Sequence, residues 1–420
     1  MITDNSSVTV SPELLKQLMD EVSTFGATAA GGLHRLTASA DDGKARDWLS
    51  KKFKEYGYHK RTDSVGNMYG ILECSSSDAP IIFAGSHLDS QPFGGRFDGA
   101  FGVVSALAAV QALSKWFERE NIRPKYNLGV VNWTNEEGAR FAPSLLGSKV
   151  FAGTLSEHEA LASEDSDGIC LRDALSNIGF AGSDVPPENI AGYIEPHIEQ
   201  GPVLEKAGKT IGVVEGNWGT VKYQITFDGK ASHTGPTPMS SRIDALLPAA
   251  SLILFMRQLS DETDGKLLTS VGRLDIDPNS TNVVAGRVKL YAELRDIDEK
   301  RLKNARHRLE QQVKSLSSGG IQTKLECVVD RPIGHFDPKL TDAIEKASES
   351  CSYSSMRMHS VAGHDAVAVS CVVPSAMIFV PSTDGLSHNE KEFTAPEDLL
   401  AGANVLARTL GFLTTESSLS

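Results

Sequence analysis

The sequence has few of the features that mark nucleic-acid-binding, membrane-bound or secreted proteins. Its 420 residues carry 41 Lys and Arg against 54 Asp and Glu, a formal net charge of −13, which disfavours nucleic acid and anionic membranes as partners. No uninterrupted apolar run approaches the ~20 residues of a membrane span, and residues 1–17 contain neither a basic nor an apolar signal region. We therefore expect a soluble cytoplasmic protein that acts on a small molecule.

Cysteine is also scarce. The five cysteines are widely spaced and form no C-x-x-C pair, a pattern that suits free thiols in a reducing compartment. The sequence contains no P-loop, no G-x-G-x-x-G, no G-x-S-x-G and no internal repeat, so the common phosphate-binding and serine-nucleophile motifs are absent.

The length of the chain predicts two domains. Helical and strand patterns alternate up to about residue 212, which is typical of an α/β layout. Residues 213–332 follow the order β-α-β-β-α-β, the ferredoxin-like pattern, with a helix predicted from Arg242 to Leu259 and a strand from Val283 to Leu294. The first pattern then resumes, so we expect residues 1–212 and 333–420 to form one domain and residues 213–332 to form an inserted lid.

A cluster of polar side chains lies between a predicted strand and a predicted helix. The stretch from residue 86 to 99 reads SHLDSQPFGGRFDG, at the strand end where open α/β sheets place their ligand sites. His87 and Asp89 leave the same face of the strand end, and Asp98 lies close to the start of the helix. Taken alone, the stretch fits either a metal site or an ordinary glycine-rich turn.

A second strand end carries two consecutive carboxylates, Glu136 and Glu137. Consecutive side chains at a strand end point to different sides, so one carboxylate can bind a metal while the other acts as a general base. In isolation, a Glu-Glu pair is more often a solvated turn.

Two histidines at further strand ends extend the pattern. His197 alternates with acidic residues in the run EPHIEQGP, and His388 follows the buried strand at 376–380. Asp98 could bridge two ions through its two carboxylate oxygens. Because no thiolate is present, a pair of divalent ions such as Zn²⁺ or Mn²⁺ is the chemical fit.

Together these segments resemble the metallopeptidase M20 superfamily. Within it they are most similar to the N-carbamoyl-L-amino-acid hydrolases, the β-ureidopropionases and the allantoate amidohydrolases. The resembling motifs are GSHLDS at 85–90, GGRFDG at 94–99, NEEG at 135–138, EPHIEQG at 195–201 and LSHNE at 386–390. The resemblance implies a zinc-exopeptidase-like α/β catalytic domain with an inserted α+β, ferredoxin-like lid and dimerisation domain, and hence a homodimer.

The resemblance also implies two metal sites that share one carboxylate. The implied ligands of the first ion are His87, Asp98 and His197, and those of the second ion are Asp98, Glu137 and His388. Zn²⁺ is the expected ion, with Mn²⁺, Co²⁺ or Ni²⁺ as alternatives.

Three catalytic roles are implied in the same way. Glu136 would be the catalytic base, and Asp89 would orient His87. His233 resembles the lid histidine that members of this group bring over the metal site, usually from the partner subunit, to polarise the scissile carbonyl. An ordinary loop histidine is the alternative for His233.

A last set of residues is implied in substrate binding. Arginine suits this role because its planar fork binds a carboxylate through two hydrogen bonds. The implied substrate-binding residues are Gln200, Asn282, Arg295, Gly363 and His364.

The function implied is a binuclear metal amidohydrolase that cleaves the carbamoyl group of N-carbamoyl amino acids to amino acid, ammonia and carbon dioxide. The run FGGRFD at 93–98 looks closer to carbamoylases and β-ureidopropionases than to allantoate enzymes. Allantoate amidohydrolase, an M20 dipeptidase or aminoacylase, and a metal-free binding protein that kept the fold are the alternatives.

Overall fold

The computed structural model describes residues 8–415, in which the chain divides into two units. Unit 1 contains the described residues up to Gly216 and from Phe336 onward, and unit 2 contains Asn217–His335. The roles of these segments as a catalytic domain and a lid stay predictions.

The elements are numbered in chain order. The helices are α1 (Pro12–Val22), α2 (Ala40–Glu55), α3 (Ala100–Glu120), α4 (Leu146–Phe151), α5 (Glu157–Leu161), α6 (Leu171–Asn177), α7 (Val203–Ala207), α8 (Leu246–Asp261), α9 (Glu299–Ser315), α10 (Pro338–Ser350), α11 (Asp365–Val369) and α12 (Pro396–Thr415). The strands are β1 (His59–Thr62), β2 (Met68–Leu72), β3 (Ile81–His87), β4 (Asn127–Trp133), β5 (Ile190–Ile198), β6 (Ile211–Asn217), β7 (Gly219–Asp228), β8 (Ser232–His233), β9 (Leu268–Asp277), β10 (Val283–Val284), β11 (Arg287–Asp296), β12 (Gln322–Arg331), β13 (Gly334–His335), β14 (Ser355–Ser360) and β15 (Ser375–Val380).

Unit 1 is built on a large mixed sheet in which β1, β2, β4, β3, β5, β15 and β6 are neighbours in that order. Strands β4, β3, β5 and β15 run parallel to one another. All residues of β3, β4 and β15 are buried, because apolar clusters cover both faces. Successive residues show this directly, since Ile82 packs into one cluster and Phe83 into another.

Helix α3 is a long apolar helix in the core of unit 1. Among residues 8–415 it alone is long and apolar enough to cross a membrane by length and composition, but 78% of that apolar window is buried inside the protein. Its buried side chains belong to the main core cluster, so its composition reflects packing on all sides.

Unit 2 contains an antiparallel sheet with the strand order β12-β7-β11-β9. In β11 every second residue is buried, namely Val288, Leu290, Ala292 and Leu294, and these side chains form one core with the apolar faces of α8 and α9. The main elements follow the predicted β-α-β-β-α-β order.

Two element boundaries in unit 2 differ from prediction. Helix α8 begins at Leu246 rather than Arg242, because Ile243 forms a β-bridge with Lys230 and cannot be helical at the same time. The strand predicted over 283–294 is broken at Gly286, where Val283 and Val284 pair with β8 while Arg287 onward pairs with β7. Both differences arise from pairing between segments far apart in sequence.

Candidate metal centre

The predicted polar residues of unit 1 meet at one edge of its sheet. His87 ends β3, Glu136 and Glu137 follow β4, His197 lies near the end of β5, and His388 lies in the loop after β15. These four strands are parallel neighbours. Their carboxyl ends therefore lie side by side, which brings together residues that are widely separated in sequence.

The first group of potential ligands contains His87, Asp98 and His197, all buried, with ligand atoms within 4.8 Å of one another. Oδ1 of Asp98 lies 3.7 Å from Nε2 of His87 and 3.2 Å from Nε2 of His197. The Nδ1 atom of each histidine lies against a backbone carbonyl, at 3.0 Å for His87 and 2.9 Å for His197. Protonated Nδ1 atoms would leave the Nε2 atom of each ring as the potential metal ligand.

The second group contains Asp98, Glu137 and His388, again within 4.8 Å of one another. Nε2 of His388 lies 3.4 Å from Oδ2 of Asp98 and 3.4 Å from Oε2 of Glu137. Gln91 holds the Glu137 carboxylate through its backbone N–H and its side-chain amide, both at 3.0 Å. Burial and the negative charge of Asp98 raise the pKa of Glu137 to about 8.

Asp98 joins the two groups, because Oδ1 faces the first and Oδ2 faces the second. Burial opposes ionisation of this carboxyl, but hydrogen bonds from His197 and His388 and the charges of His197 and His87 bring its pKa well below the usual value. The same contact with Asp98 raises the pKa of His388 to about 9. The Asp98 carboxyl group is therefore ionised.

The ligand set fits divalent ions. Two ligand atoms bound to one tetrahedral Zn²⁺ at about 2.1 Å would lie roughly 3.4 Å apart. The measured N···O separations within the two groups are 3.2–3.7 Å. The donors are imidazole nitrogens and carboxylate oxygens, the types that Zn²⁺ and Mn²⁺ accept.

Glu136 lies beside the first group without belonging to it. Its Oε2 lies 3.6 Å from Nε2 of His87, and burial together with the charge of Glu137 raises the pKa of Glu136 well above its usual value. Asp89 accepts hydrogen bonds from the backbone N–H groups of Glu136 and Glu137, both at 3.3 Å. The Asp89 carboxylate therefore positions the two glutamates. Asp89 also contacts His87, with its backbone carbonyl 3.0 Å and its Oδ1 3.7 Å from Nδ1 of the ring.

Comparison with known proteins agrees with this geometry. Residues 83–411 match the family model of Peptidase family M20/M25/M40. The chain belongs to this family. The resemblance seen in the sequence is thereby confirmed, and the metal dependence of the M20 family agrees with the two ligand groups.

Relatives of this M20-family chain include named amidohydrolases. It is 37% identical over 399 residues to an N-carbamoyl-L-amino-acid amidohydrolase of Rhizobium meliloti, which covers 94% of this chain and 95% of the relative. It is 32% identical over 395 residues to an allantoate amidohydrolase of Bacillus subtilis. That alignment covers 92% of this chain and 94% of the relative. The crystal structure of an amidase of the hydantoinase/carbamoylase family from Burkholderia multivorans matches with a TM-score of 0.87 and 37% identity over 98% of this chain and 99% of that one. The predicted α/β fold class is confirmed, and the lid and dimerisation role of the inserted segment stays a prediction.

Three of the residues predicted to bind substrate belong to unit 1. Gln200 donates from Nε2 to Oδ2 of Asp98 at 2.7 Å, so it lies at the bridging carboxylate itself. The ring of His364 packs edge-on against that of His197, with centroids 4.5 Å apart. Gly363 directly precedes His364, the N-cap residue of α11.

The other two residues implied in substrate binding, Asn282 and Arg295, belong to unit 2, as does the implied catalytic residue His233. His233 and Asn282 lie on neighbouring segments, since His233 pairs with Val283 and the N–H of Thr234 donates to the carbonyl of Asn282 at 3.1 Å. The N–H of Gly235 donates to Nδ1 of His233 at 3.0 Å, so the proton of a neutral His233 ring lies on Nε2. Arg295, near the end of β11, donates from Nε to the carboxylate of Glu293.

Sequence reasoning gave no role to two buried glutamates that support the ligands. Glu195 accepts from the hydroxyl of Ser86 at 2.7 Å and from the N–H of Ala366 at 2.6 Å, which ties β3 and β5 to the start of α11. Glu392 contacts the Asp98 loop. The only sequence signals were the alternation of Glu195 with His197 and the short distance of Glu392 from His388, and neither pattern is specific.

Proposed function

We propose that this chain is a binuclear metal-dependent amidohydrolase that removes the carbamoyl group of N-carbamoyl amino acids, releasing the amino acid, ammonia and carbon dioxide. The observation that carries the proposal is the orientation of the Asp98 carboxylate, which has one oxygen facing each ligand group. The similarity to a named N-carbamoyl-L-amino-acid amidohydrolase over nearly the whole chain supports the choice of substrate class.

The residues present fit the binding of two ions. His87, Asp98 and His197 would hold the first, and Asp98, Glu137 and His388 the second, with Zn²⁺ as the expected ion and Mn²⁺, Co²⁺ or Ni²⁺ as alternatives. Such ions supply Lewis-acid activation of a water and of the scissile carbonyl. Hydrolysis of a ureido group needs such activation, because both flanking nitrogens donate electrons into the ureido carbon and make it a poor electrophile.

Glu136 is the proposed general base. Its Oε2 lies 3.6 Å from Nε2 of His87, but Glu136 belongs to neither ligand group, so as a base it would take a proton from the attacking water. After attack on the carbamoyl carbon, Glu136 passes that proton to the leaving nitrogen. Loss of ammonia and carbon dioxide then frees the amino acid.

Residues of unit 2 are proposed to complete the site. His233, with its proton on Nε2, would donate to the oxygen of the tetrahedral intermediate. Asn282 and Arg295 would bind the carboxylate next to the ureido group, and Gln200, Gly363 and His364 would line the rest of the pocket.

A homodimer formed through unit 2 is proposed as the working assembly. Helix α8 exposes Leu247 (63%) and Leu254 (73%) one above the other, and β9 is an edge strand of its sheet. An apolar helix stripe next to an open strand edge is a surface that self-association would cover. A cytoplasmic location is also proposed, since all five cysteines are free thiols.

Allantoate is the second candidate substrate, because the similarity to a named allantoate amidohydrolase is nearly as extensive. A panel of substrates separates the candidates. Ammonia release would be measured with N-carbamoyl-L-amino acids, N-carbamoyl-β-alanine and allantoate, and amine release with N-acetyl amino acids and dipeptides, after loading with Zn²⁺, Mn²⁺, Co²⁺ or Ni²⁺. Highest kcat/KM on an N-carbamoyl amino acid supports the proposal, and preference for dipeptides or N-acetyl compounds would refute it.

A further inference from the structure

Glu392 is a buried carboxylate that touches the backbone of the bridging ligand. Its Oε1 accepts from the N–H groups of Phe97 and Asp98, both at 3.1 Å, and its side chain is 4% exposed. Its Oε2 accepts from the hydroxyl of Ser387 at 2.8 Å. Glu392 therefore links the loop that carries Asp98 to the loop that carries His388.

The Ser387 hydroxyl has two possible acceptors but only one proton. Its Oγ lies 2.8 Å from Oε2 of Glu392 and 3.0 Å from Oδ2 of Asp98. Oδ2 is the oxygen that faces the second ligand group, and it already accepts a hydrogen bond from Gln200. Each additional hydrogen bond to Oδ2 occupies a lone pair that a metal ion would need.

The Glu392 carboxylate occupies space next to Gly95 that a side chain at position 95 would fill. A Cβ at Gly95 would lie only 2.0 Å from Cδ and from Oε1 of Glu392. Any other residue at position 95 would displace the carboxylate. The close approach of Glu392 to the Asp98 loop thus depends on the absence of a side chain at this position.

We propose that Glu392 is a positioning residue that draws the Ser387 proton away from Oδ2 of Asp98 and so leaves that oxygen available to the second metal ion. The inference rests on the proposed function for the presence of two ions. The expected effect is confined to one site. Loss of the Glu392 carboxylate weakens binding of the second ion and leaves binding of the first unchanged.

The substitution Glu392→Gln tests this directly. The amide oxygen would take the place of Oε1, because two backbone N–H groups require an acceptor there, and the amide –NH₂ would then face Ser387. Ser387 would accept from it and turn its own proton to Oδ2 of Asp98. Metal-free protein would be titrated with Zn²⁺ alone or Co²⁺ alone, in competition with a chromophoric chelator, and the bound metal counted after dialysis.

We expect Glu392→Gln to retain one ion tightly and to bind the second about tenfold or more weakly, the usual effect of losing a partner that supports a ligand. Adding Ser387→Ala to Glu392→Gln removes the competing proton and should restore affinity for the second ion. A role limited to holding the loops would not give this rescue, since the double variant has fewer contacts than the single one. Glu390→Gln, in the same loop, is the matched control, because Glu390 accepts from Thr28 and contacts no ligand.

Circular dichroism and thermal melting of the metal-free variants establish that they are folded. If Glu392→Gln does not fold, Gly95→Ala displaces the same carboxylate and carries the same expectation for the second ion. Equal loss of both ions, unchanged affinity for both, absence of rescue by Ser387→Ala, or uptake of a single ion by the wild type would each overturn the proposal. Because metal alone is the probe, these outcomes are separate from failure of the proposed function, which is a wild type that cleaves no ureido substrate.

Discussion

Oε2 of Glu136 lies 3.6 Å from Nε2 of His87, although Glu136 belongs to neither ligand group. The adjacent Glu137 turns the other way, toward His388. The two consecutive carboxylates thus face different histidines, as their position after a strand end predicts.

Replacing Glu136 with Gln should leave both ions bound and slow turnover by ~10²-fold or more, because a general base is lost while the ligands remain. Glu137→Gln is the matched control and should lose metal. Metal content and kcat would be measured on the same samples. If Glu136→Gln lost metal and Glu137→Gln kept it, the two roles would have to be exchanged.

Removing metal with a chelator should abolish activity while the chain stays folded. The ligands lie on strand ends and loops, and the apolar core of unit 1 is built from other residues. Far-UV circular dichroism before and after chelation, followed by reloading with Zn²⁺, checks both parts. Full activity in protein shown to be free of metal would exclude the metal mechanism.

Metal binding at pH 7 should release protons. Burial and the charge of Asp98 raise the pKa of Glu137 to about 8, and the contact with Asp98 raises that of His388 to about 9. Both groups therefore hold protons near neutrality, and a metal ion must displace them. Apparent affinity should rise as the pH increases and level off above about pH 10, roughly one unit above the higher pKa, where both groups are largely deprotonated.

Calorimetric titration with Zn²⁺ in two buffers of different protonation enthalpy would count the released protons. Glu137→Gln should release fewer protons than the wild type. Identical heats in the two buffers would contradict the expected coupling.

Arg295→Lys should lower kcat/KM at least tenfold if Arg295 binds the substrate carboxylate, since a hydrogen bond to a charged group contributes ~1.5–3 kcal/mol. A substrate with an amide in place of the carboxylate gives the sharper test. Wild type should discriminate strongly against it, and Arg295→Lys much less.

Arg287→Lys is the control for that experiment. Arg287 lies at the opposite end of β11 and pairs with Asp228, so its substitution should not change the discrimination. Equal discrimination by wild type and Arg295→Lys would show that Arg295 has a structural role, such as its contact with Glu293, and that another cation binds the carboxylate.

Arg46→Met should destabilise the fold by about 3–5 kcal/mol, the usual cost of removing one partner of a buried ion pair. Arg46 pairs with Asp42 at 2.8 Å, with both side chains buried, and also donates to Thr134, two residues before Glu136. Lys44→Met, which removes the exposed Lys44–Asp41 pair of the same helix, should cost much less. Urea denaturation curves of both variants provide the comparison, and equal losses would contradict the assignment.

Much of the metal centre could be predicted because its residues form short motifs at strand ends. His87 and Asp98 lie in one glycine-rich loop, and Glu136 and Glu137 are adjacent in sequence. Their alternation and position after apolar runs were enough to suggest ligands and a base, since strand ends impose those directions locally. What each residue does in catalysis stays a prediction.

Contacts between distant segments could not be predicted. Glu392 and Asp98 are 294 residues apart, yet a hydrogen bond joins them, and no periodicity marks Glu392. The late start of α8 has the same origin, because a single β-bridge between Lys230 and Ile243 overrides a helical pattern. Local sequence cannot specify which loop packs against which.

The sequence by itself determined the α/β class, the ferredoxin-like order of unit 2 and the residue types that suit divalent metal, because strand and helix periodicity and side-chain chemistry are local properties. Only the tertiary structure decided that Asp98 turns one oxygen to each ligand group and that Ser387 lies between Asp98 and Glu392. These relationships depend on distances of a few ångströms between loops from different strands. Such distances are set by the packing of the whole sheet and its helices.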